Sequence, residues 1–454
     1  MHVFHYERAR SELDRLLKEG DYRAMRALLI VMNEVDVAEF LNELELPQAA
    51  LLFRMLPKDI GLDVFCHLDP DAQEALITAY SDTEIREVVS NLYNDDLVDL
   101  MEELPAMLAK RVLANTPKDR RDLVNKLLQY PDDSAGSIMT TEYIHLRQDM
   151  TVAESIERIR RLGAKSEMMY SCFVTTDDRI LEGVITLREL LTSKDEQRVG
   201  DLMERSVISV TTMDDREYVA NCFNRYGLLA IPVTDLENRL VGIITVDDAL
   251  DVMTEEATED LSLMSAVKPA ERPYLETSVW DNARRRFFWL LFLMLSGILN
   301  GLILGHYEAA FISLPILVSF MPMLTDTGGN AGSQSSGLLI RALAVGEVDT
   351  RDWAKVLWKE LRIGVLTGAI LALINGLRIY LLNGHNLMLA LTVSLALFFI
   401  VIMSKLIGAA LPLLADKLGL DPAIMAAPLI TTIVDSLGLI VYFYTATSLL
   451  LPGV

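Results

Sequence analysis

Five apolar segments close this chain: Phe287 to Leu304, Phe311 to Leu343 with a polar interruption, Ile363 to Leu382, Leu387 to Leu414, and Ala423 to Leu450. A helix needs about 20 residues to cross a bilayer, and each segment supplies enough. Hydrocarbon leaves no water to satisfy backbone amides, so these segments are predicted to form a bundle of spanning helices. Basic residues set the orientation. Arg284, Arg285 and Arg286 precede the first segment; Arg351, Lys355, Lys359 and Arg362 lie between the second and third; Lys417 lies between the fourth and fifth. The other connections, His306 to Glu308 and Asn383 to Asn386, hold no Lys or Arg, although Arg378 lies just before the latter. The pattern predicts a multi-pass protein of the inner or plasma membrane, with five spans, its N-terminal part cytoplasmic and its C-terminus outside.

Two features sit badly in a lipid anchor. Asp435 lies inside the last apolar segment with nothing in that segment to pair with it. A carboxylate at the centre of a membrane helix costs roughly 2.5 to 3.5 kcal/mol on insertion scales, so it ordinarily faces a partner, a wet cavity or an ion path. The second is the run Thr325 to Ser336, rich in small and amide side chains. Helix packing through small residues is the competing explanation for that run. Together they nominate Asp435, Thr431, Thr432, Asn330 and Gln334 as lining a cation path. Their donors are oxygens and amides with no thiolate or imidazole, which disfavours a soft metal.

The remainder is acidic. Only 9 of the 64 acidic and 8 of the 41 basic residues lie beyond Asn300, so the first 300 residues carry 55 acids against 33 bases. Such a surface repels nucleic acid and anionic lipid and attracts cations, although plain solubility explains an acidic excess equally well. Cys66, Cys172 and Cys222 are widely spaced, without the pairing that marks a zinc site. The N-terminus lacks the apolar core of a cleavable signal. No GxxxxGK[ST] motif occurs, so no enzyme activity of the nucleotide-hydrolysing kind is expected.

Residues 1–131 show apolar residues at helical spacing, as in Val37 to Leu44 and Leu97 to Leu104, and the pairs Asp69-Pro70 and Thr116-Pro117 punctuate them into short helices. A loosely repeating helical stack is predicted. Residues 132–253 change to strands alternating with helices, and do so twice: one copy ends in Cys172 to Glu189, the other in Ala230 to Asp248, each closing a strand on Gly-x-Ile-Thr before a helix starts. This doubling resembles a tandem pair of CBS domains. Residues 254–283 form an acidic connector leading to the membrane part, residues 284–454. The fold class is thus multidomain: an all-α N-terminal region, an α/β CBS pair and an α-helical membrane domain.

The whole chain resembles the MgtE family of magnesium channels and transporters, most specifically in Pro322 to Gln334 and in Asp421-Pro-Ala followed by Pro428 to Asp435. The resemblance implies a homodimer in the lipid bilayer whose pore lies between the two membrane domains, with Asp435 attracting hydrated Mg2+, an ion that gives up water reluctantly. It implies further that Mg2+ held among acidic groups closes the pore when cytosolic Mg2+ is plentiful, by shifting a two-state equilibrium. The matching acids are Asp95, Asp99, Asp248, Asp251, Glu255, Glu256, Glu259, Asp260 and Asp421. Asp95 and Asp99 are four apart and share a helix face, where like charges destabilise unless a cation bridges them; a solvated face is the plain alternative. In CBS domains a Thr-x-x-Asp pattern commonly reaches a ribose, which points to Thr245 and Asp248, with Ala230, Ile231 and Pro232 near the base, as a site for ATP or another adenine nucleotide; an empty CBS pair is the competing reading. Two residues depart from expectation: Lys405 falls within the fourth apolar segment, where it should snorkel or meet a carbonyl or carboxylate, and Ala427 stands where some relatives carry a polar side chain. A transporter of broader range (Co2+, Mn2+) and a membrane-anchored nucleotide sensor remain the alternatives.

Overall fold

The structure is a computed structural model describing residues 2–269, 274–275, 277–383, 385–425 and 427–450. It divides after Met253 into two compact units.

The first unit begins with ten short helices, from His2–Glu19 to Lys118–Leu127. Their brevity follows from frequent caps: Ser81 and Glu84 form a reciprocal capping box, and Pro70 takes the first turn of its helix behind Asp69. At the second predicted start the helix begins one residue later, at Lys118, because Thr116 bonds back to the Val112 carbonyl and Pro117 occupies the cap position. Buried Leu29, Phe40, Phe65, Ile77 and Leu97 make one core that continues through Val219, Ile231 and Ile244 of the α/β part. One of these helices, α1 (Asn94–Glu103), turns Leu97, Val98 and Leu100 into that core.

The α/β part is two three-stranded sheets of identical order. In the first, β1 (Tyr143–Leu146) pairs parallel with β2 (Met168–Thr175), which pairs antiparallel with β3 (Leu181–Thr186). In the second, β4 (Val210–Thr211), β5 (Ala230–Thr234) and β6 (Leu240–Thr245) repeat the scheme. The crossovers Val152–Leu162 and Arg216–Tyr226 are helical, as parallel neighbours require. Phe173 of the first copy packs with Ala230, Leu240 and Ile243 of the second. The glycine of each Gly-x-Ile-Thr motif has a steric reason: a Cβ on Gly242 would lie 2.7 Å from the Thr140 carbonyl oxygen, and one on Gly183 would lie 2.8 Å from that of Glu204. From β6 the chain enters α2 (Val246–Met264) directly.

In the second unit, α3 (Val279–His306), α4 (Met321–Ala344), α5 (Trp353–Leu382), α6 (Leu387–Lys417) and α7 (Ala427–Leu450) form the bundle. Among the described residues, four stretches are both long and apolar enough to cross a membrane: Val279–His306, Thr350–Leu382, Leu387–Lys417 and Pro422–Leu450. The second apolar segment of the sequence folds as Glu308–Ser313, a 3-10 turn Pro315–Phe320 and the 24-residue α4, whose small and polar residues dilute its apolar character. Those small residues govern the packing. Gly332 of α4 and Gly408 of α6 bring backbone against backbone, since a Cβ on Gly408 would fall 2.2 Å from the Gly332 carbonyl oxygen. Gly328 and Gly332 also admit Val434 and Ile430 of α7. At the other end, the buried Tyr442 hydroxyl donates to the Leu317 carbonyl at 2.8 Å, fixing the 3-10 turn against α7.

Candidate functional site

Two acidic sites emerge, one in each unit, together with a polar face on the helical bundle.

In the first unit, Asp95 of α1, Glu167 just before β2 and Asp248 in the first turn of α2 converge, with one carboxylate oxygen of each within 4.8 Å of the others. Asp95 is 8% exposed. Burial, reinforced by Glu167, Asp96 and Asp248, holds its carboxyl well above the usual carboxylate range. Burial and the charges of Asp248 and Asp247 push Glu167 up to about 7, against hydrogen bonds that pull the other way. Asp248 is pushed up to about 6, burial outweighing its bonds to Thr245. Asp95 Oδ1 and Glu167 Oε2 are buried without a hydrogen-bond partner. The Arg120 guanidinium cannot satisfy them, being committed to Asn94 and to the Val89 and Leu92 carbonyls. Unpaired acceptors on two of three crowded carboxylates are costly as they stand, and they fit a hard divalent cation that takes oxygen ligands. Loops closed by Asn94, which donates to Thr141 at 2.9 Å, tie α1 to the start of the CBS pair and set this convergence.

Glu167 was not foreseen from the sequence. It follows no motif, and only strand pairing together with the packing of α1 places it beside residues distant in the chain. Asp99, four residues beyond Asp95, is solvent-exposed; its packed surroundings, Asp96, Glu102 and Asp248 push it up to about 7. Water at that opening screens the effect, so the buried Asp95 is the better witness. Asp251 is exposed near Asp247 and His67, and partial burial raises its carboxyl. Glu255 and Glu256 continue along α2.

The residues suggested for a nucleotide are less open. Thr245 is 1% exposed, and its hydroxyl donates to Asp248 at 2.7 Å and to Glu167 at 3.2 Å. In the first copy Thr186 and Glu189 make the same turn as a helix capping box. The Thr-x-x-acid pattern thus has a local folding role in both copies. Ala230, Ile231 and Pro232 are all buried in β5.

In the second unit, Asp260 near the end of α2 lies close enough to Asp421 and Glu259 for their charges to repel; burial first, and then these two, raise its carboxyl. Beneath them Leu263 and Met264 pack against Ile340 of α4 and Ala423. The end of α2 therefore rests on α4, which bears part of the polar stripe, and on the 3-10 turn Pro422–Met425 that precedes α7.

On α4, Asp326, Asn330 and Gln334 are spaced four apart and all exposed, forming one polar stripe. On the adjoining α7, Thr431, Thr432 and Asp435 are half-buried. Asp326 and Asp435 are near enough to interact electrostatically. Thr431 and Thr432 donate their hydroxyls back to the Pro428 carbonyl at 3.0 and 2.9 Å, leaving oxygen lone pairs available. Asp326 lies within the polar run Thr325 to Ser336 but was not singled out; its spacing to Asn330 and Gln334 is the signal that finds it. The next residue beyond Asp435, Ser436, is instead held by Asn300 of α3. Lys405 of α6 neither snorkels nor reaches this stripe: 7% exposed, it donates to the Ser335 hydroxyl at 3.3 Å, which donates to Glu360 of α5 at 2.6 Å.

An acidic region of short helices and two α/β sheets, joined to a bundle of apolar helices with a polar stripe, defines an integral membrane transporter. Family models match along the chain: the MgtE intracellular N domain over residues 32–133, the CBS domain over 135–196 and 199–255, and MgtE, a divalent cation transporter, over 321–445. The chain is 36% identical to the magnesium transporter MgtE of Thermus thermophilus across 98% of its own length and 99% of that protein. It is 32% identical to the magnesium transporter MgtE of Bacillus subtilis across 95% of both. A crystal structure of the cytosolic domain of the Mg2+ channel MgtE in complex with ATP covers 54% of this chain and 99% of its own, at 33% identity and a TM-score of 0.51. This chain belongs to the MgtE family.

Proposed function

We propose that the chain is one protomer of a homodimeric Mg2+ channel that closes when cytosolic Mg2+ is abundant. The observation behind this is the stripe of Asp326, Asn330 and Gln334 on α4 beside Thr431, Thr432 and Asp435 on α7. It is polar, oxygen-rich and open on one protomer, and a second copy set against it would turn an expensive polar face into a lined path. In this reading α4 is the second of five spans, despite its polarity, because its polar side faces that path and not lipid. Regions 1–131, 132–253, 254–283 and 284–454 act as helical sensor, CBS pair, connector and membrane domain, with the first three cytoplasmic and the C-terminus outside.

Mg2+ is the cargo, and it passes hydrated. Two Asp435 carboxylates cannot supply the six to eight direct oxygens that Ca2+ prefers, whereas Mg2+ keeps several waters and accepts outer-shell hydrogen bonds. Regulatory Mg2+ sits at Asp95, Glu167 and Asp248, and at Glu259, Asp260 and Asp421. The ion offsets repulsion among groups that are raised in charge cost by burial, and so favours the arrangement that holds them together. Asp99, Asp251, Glu255 and Glu256 add negative field around these sites. ATP, the ligand of the related cytosolic domain, binds the CBS pair near Ala230, Ile231, Pro232 and Thr245, where it shares Asp248 with the cation site.

The test is flux into liposomes with each divalent ion in turn. Asp435→Ala is expected to abolish Mg2+ uptake and Asp435→Asn to impair it strongly, with protein folded and dimeric. Undiminished uptake by the Ala variant, or Ca2+ passing as readily as Mg2+, would overturn the assignment.

A further inference from the structure

The bundle has a second feature, away from the polar stripe. Where α5 begins and α6 ends, a cleft of about 610 Å3 opens between them, lined by Leu357, Leu413 and Leu414, its apolar floor by chemistry, and by Trp353, Arg351 and Lys417, its amphipathic and cationic rim. Its volume is within the range of a small-molecule site, roughly 300 to 1,000 Å3. None of the candidate path residues lines it.

The floor and the rim call for different chemistries. Leu414 is 51% and Trp353 58% exposed, so the cleft presents apolar surface that a lipid chain can cover. The rim is cationic: Arg351 is almost fully exposed and only loosely paired with Asp349, at 3.9 Å. Lys355, one turn into α5, is by contrast already bonded to Asp352 at 2.6 Å. This end of α5 also bears Trp358, with the Arg362 guanidinium over its ring at 5.7 Å. Indole and cation together are the side chains that settle at the headgroup level of a bilayer. The cleft therefore spans the boundary at which a lipid changes from acyl chain to phosphate.

The geometry points to a bound anionic phospholipid, its phosphate between Arg351 and Lys417 and the first part of an acyl chain along Leu357, Leu413 and Leu414. A zwitterionic lipid would fill the same floor, but its choline would oppose the two cations. A soluble phosphate would use the rim and leave the floor exposed. The lipid is of the leaflet that the Arg351 to Arg362 connection faces, where anionic headgroups attract basic groups near membrane helices.

Native mass spectrometry of the full-length purified protein tests this, with phosphatidylglycerol and phosphatidylcholine of identical acyl chains added in equal amounts. The wild type should retain phosphatidylglycerol preferentially. Replacing both rim cations, Arg351→Gln with Lys417→Gln, should weaken that preference roughly 10- to 30-fold, about what two near-surface charges contribute. The exchange Arg351→Lys with Lys417→Arg should keep it, and Lys355→Gln should leave it unchanged. Glycerol phosphate at the same concentration should not displace the lipid. Equal retention of both lipids by the wild type, an unchanged preference in the double Gln protein, an equal loss in Lys355→Gln, or displacement by glycerol phosphate would each overturn the proposal.

Discussion

Asp95 and Asp248, on helices that are far apart in the chain, bring carboxylate oxygens within 4.8 Å of each other beside Glu167, and Asp95 Oδ1 has no hydrogen-bond partner. Two like charges that close are an electrostatic fault unless a cation or a proton resolves it. Asp95→Asn should therefore stabilise the metal-free protein, by about 1 to 3 kcal/mol, the usual cost of leaving a buried acceptor unsatisfied. The same change should weaken protection of the cytosolic region by Mg2+ against protease, because protection scales with ligand concentration over its dissociation constant. A variant that is less stable without metal, or that Mg2+ protects as well as the wild type, would count against a cation site.

The pH dependence follows from the same cluster. Glu167 at about 7 and Asp248 at about 6 lie above ordinary carboxylate values, so between roughly pH 4 and 7 the folded protein binds more protons than the unfolded chain. Stability of the metal-free protein from these groups is full below about pH 4 and is lost as pH rises through the folded values. Their surroundings do not reverse this: Asp247 adds to it at both groups and Asp96 at Asp248, while the hydrogen bonds from Thr140 and Thr245 only moderate it. Mg2+ competes with the protons, so its affinity should fall as pH drops from about 8 to about 6. Hydrogen exchange of residues 94–103 in the full chain, titrated with Mg2+ at both pH values, measures this; tighter binding at the lower pH would refute it.

How far the sequence reached depended on whether a feature was local. Apolar runs, caps and the Gly-x-Ile-Thr repeat involve neighbours in the chain, and the helices and the two sheets of equal order follow from them. Asp95, Asp248 and Asp260 were legible as acids on helices. Glu167 was not, because only the parallel pairing of β2 with β1 and the packing of α1 against the CBS pair bring it there. Ser335 was hidden for a similar reason, since its neighbour Glu360 lies on another helix. The polarity of Thr325 to Ser336 fits an ion path or packing by sequence alone; in the structure Gly328, Gly332 and Ser335 are buried against neighbours, whereas Asp326, Asn330 and Gln334 are exposed.

The glycine contact between α4 and α6 makes a sharp stability prediction. With the Gly332 carbonyl oxygen 2.2 Å from the place a Cβ would take, Gly408→Ala forces the helices apart. Overpacking of this kind costs about 1 to 3 kcal/mol. Gly301→Ala on α3, with no atom within 4 Å of the added methyl, serves as the control. Thermal melts in detergent should show the first destabilised and the second not. Because α4 also bears Asn330 and Gln334, Gly408→Ala should lower Mg2+ flux as well; equal melting of the two variants would mean that the helices separate freely.

Lys405, Ser335 and Glu360 give the last prediction. The ammonium of Lys405 is buried among helices and donates to the Ser335 hydroxyl, which donates on to Glu360, so the chain of bonds joins α6, α4 and α5. Removing one charged partner of a buried arrangement leaves the other without compensation and costs roughly 3 to 5 kcal/mol, whereas removing both with apolar or neutral groups is often close to neutral. Lys405→Met should accordingly lower the melting temperature markedly, and Glu360→Gln added to it should restore much of the loss. The Ser335→Ala variant, which breaks the bridge but keeps both charges, should lose less than Lys405→Met. Effects of Lys405→Met and Glu360→Gln that simply add would show that the two charges do not sense each other through Ser335.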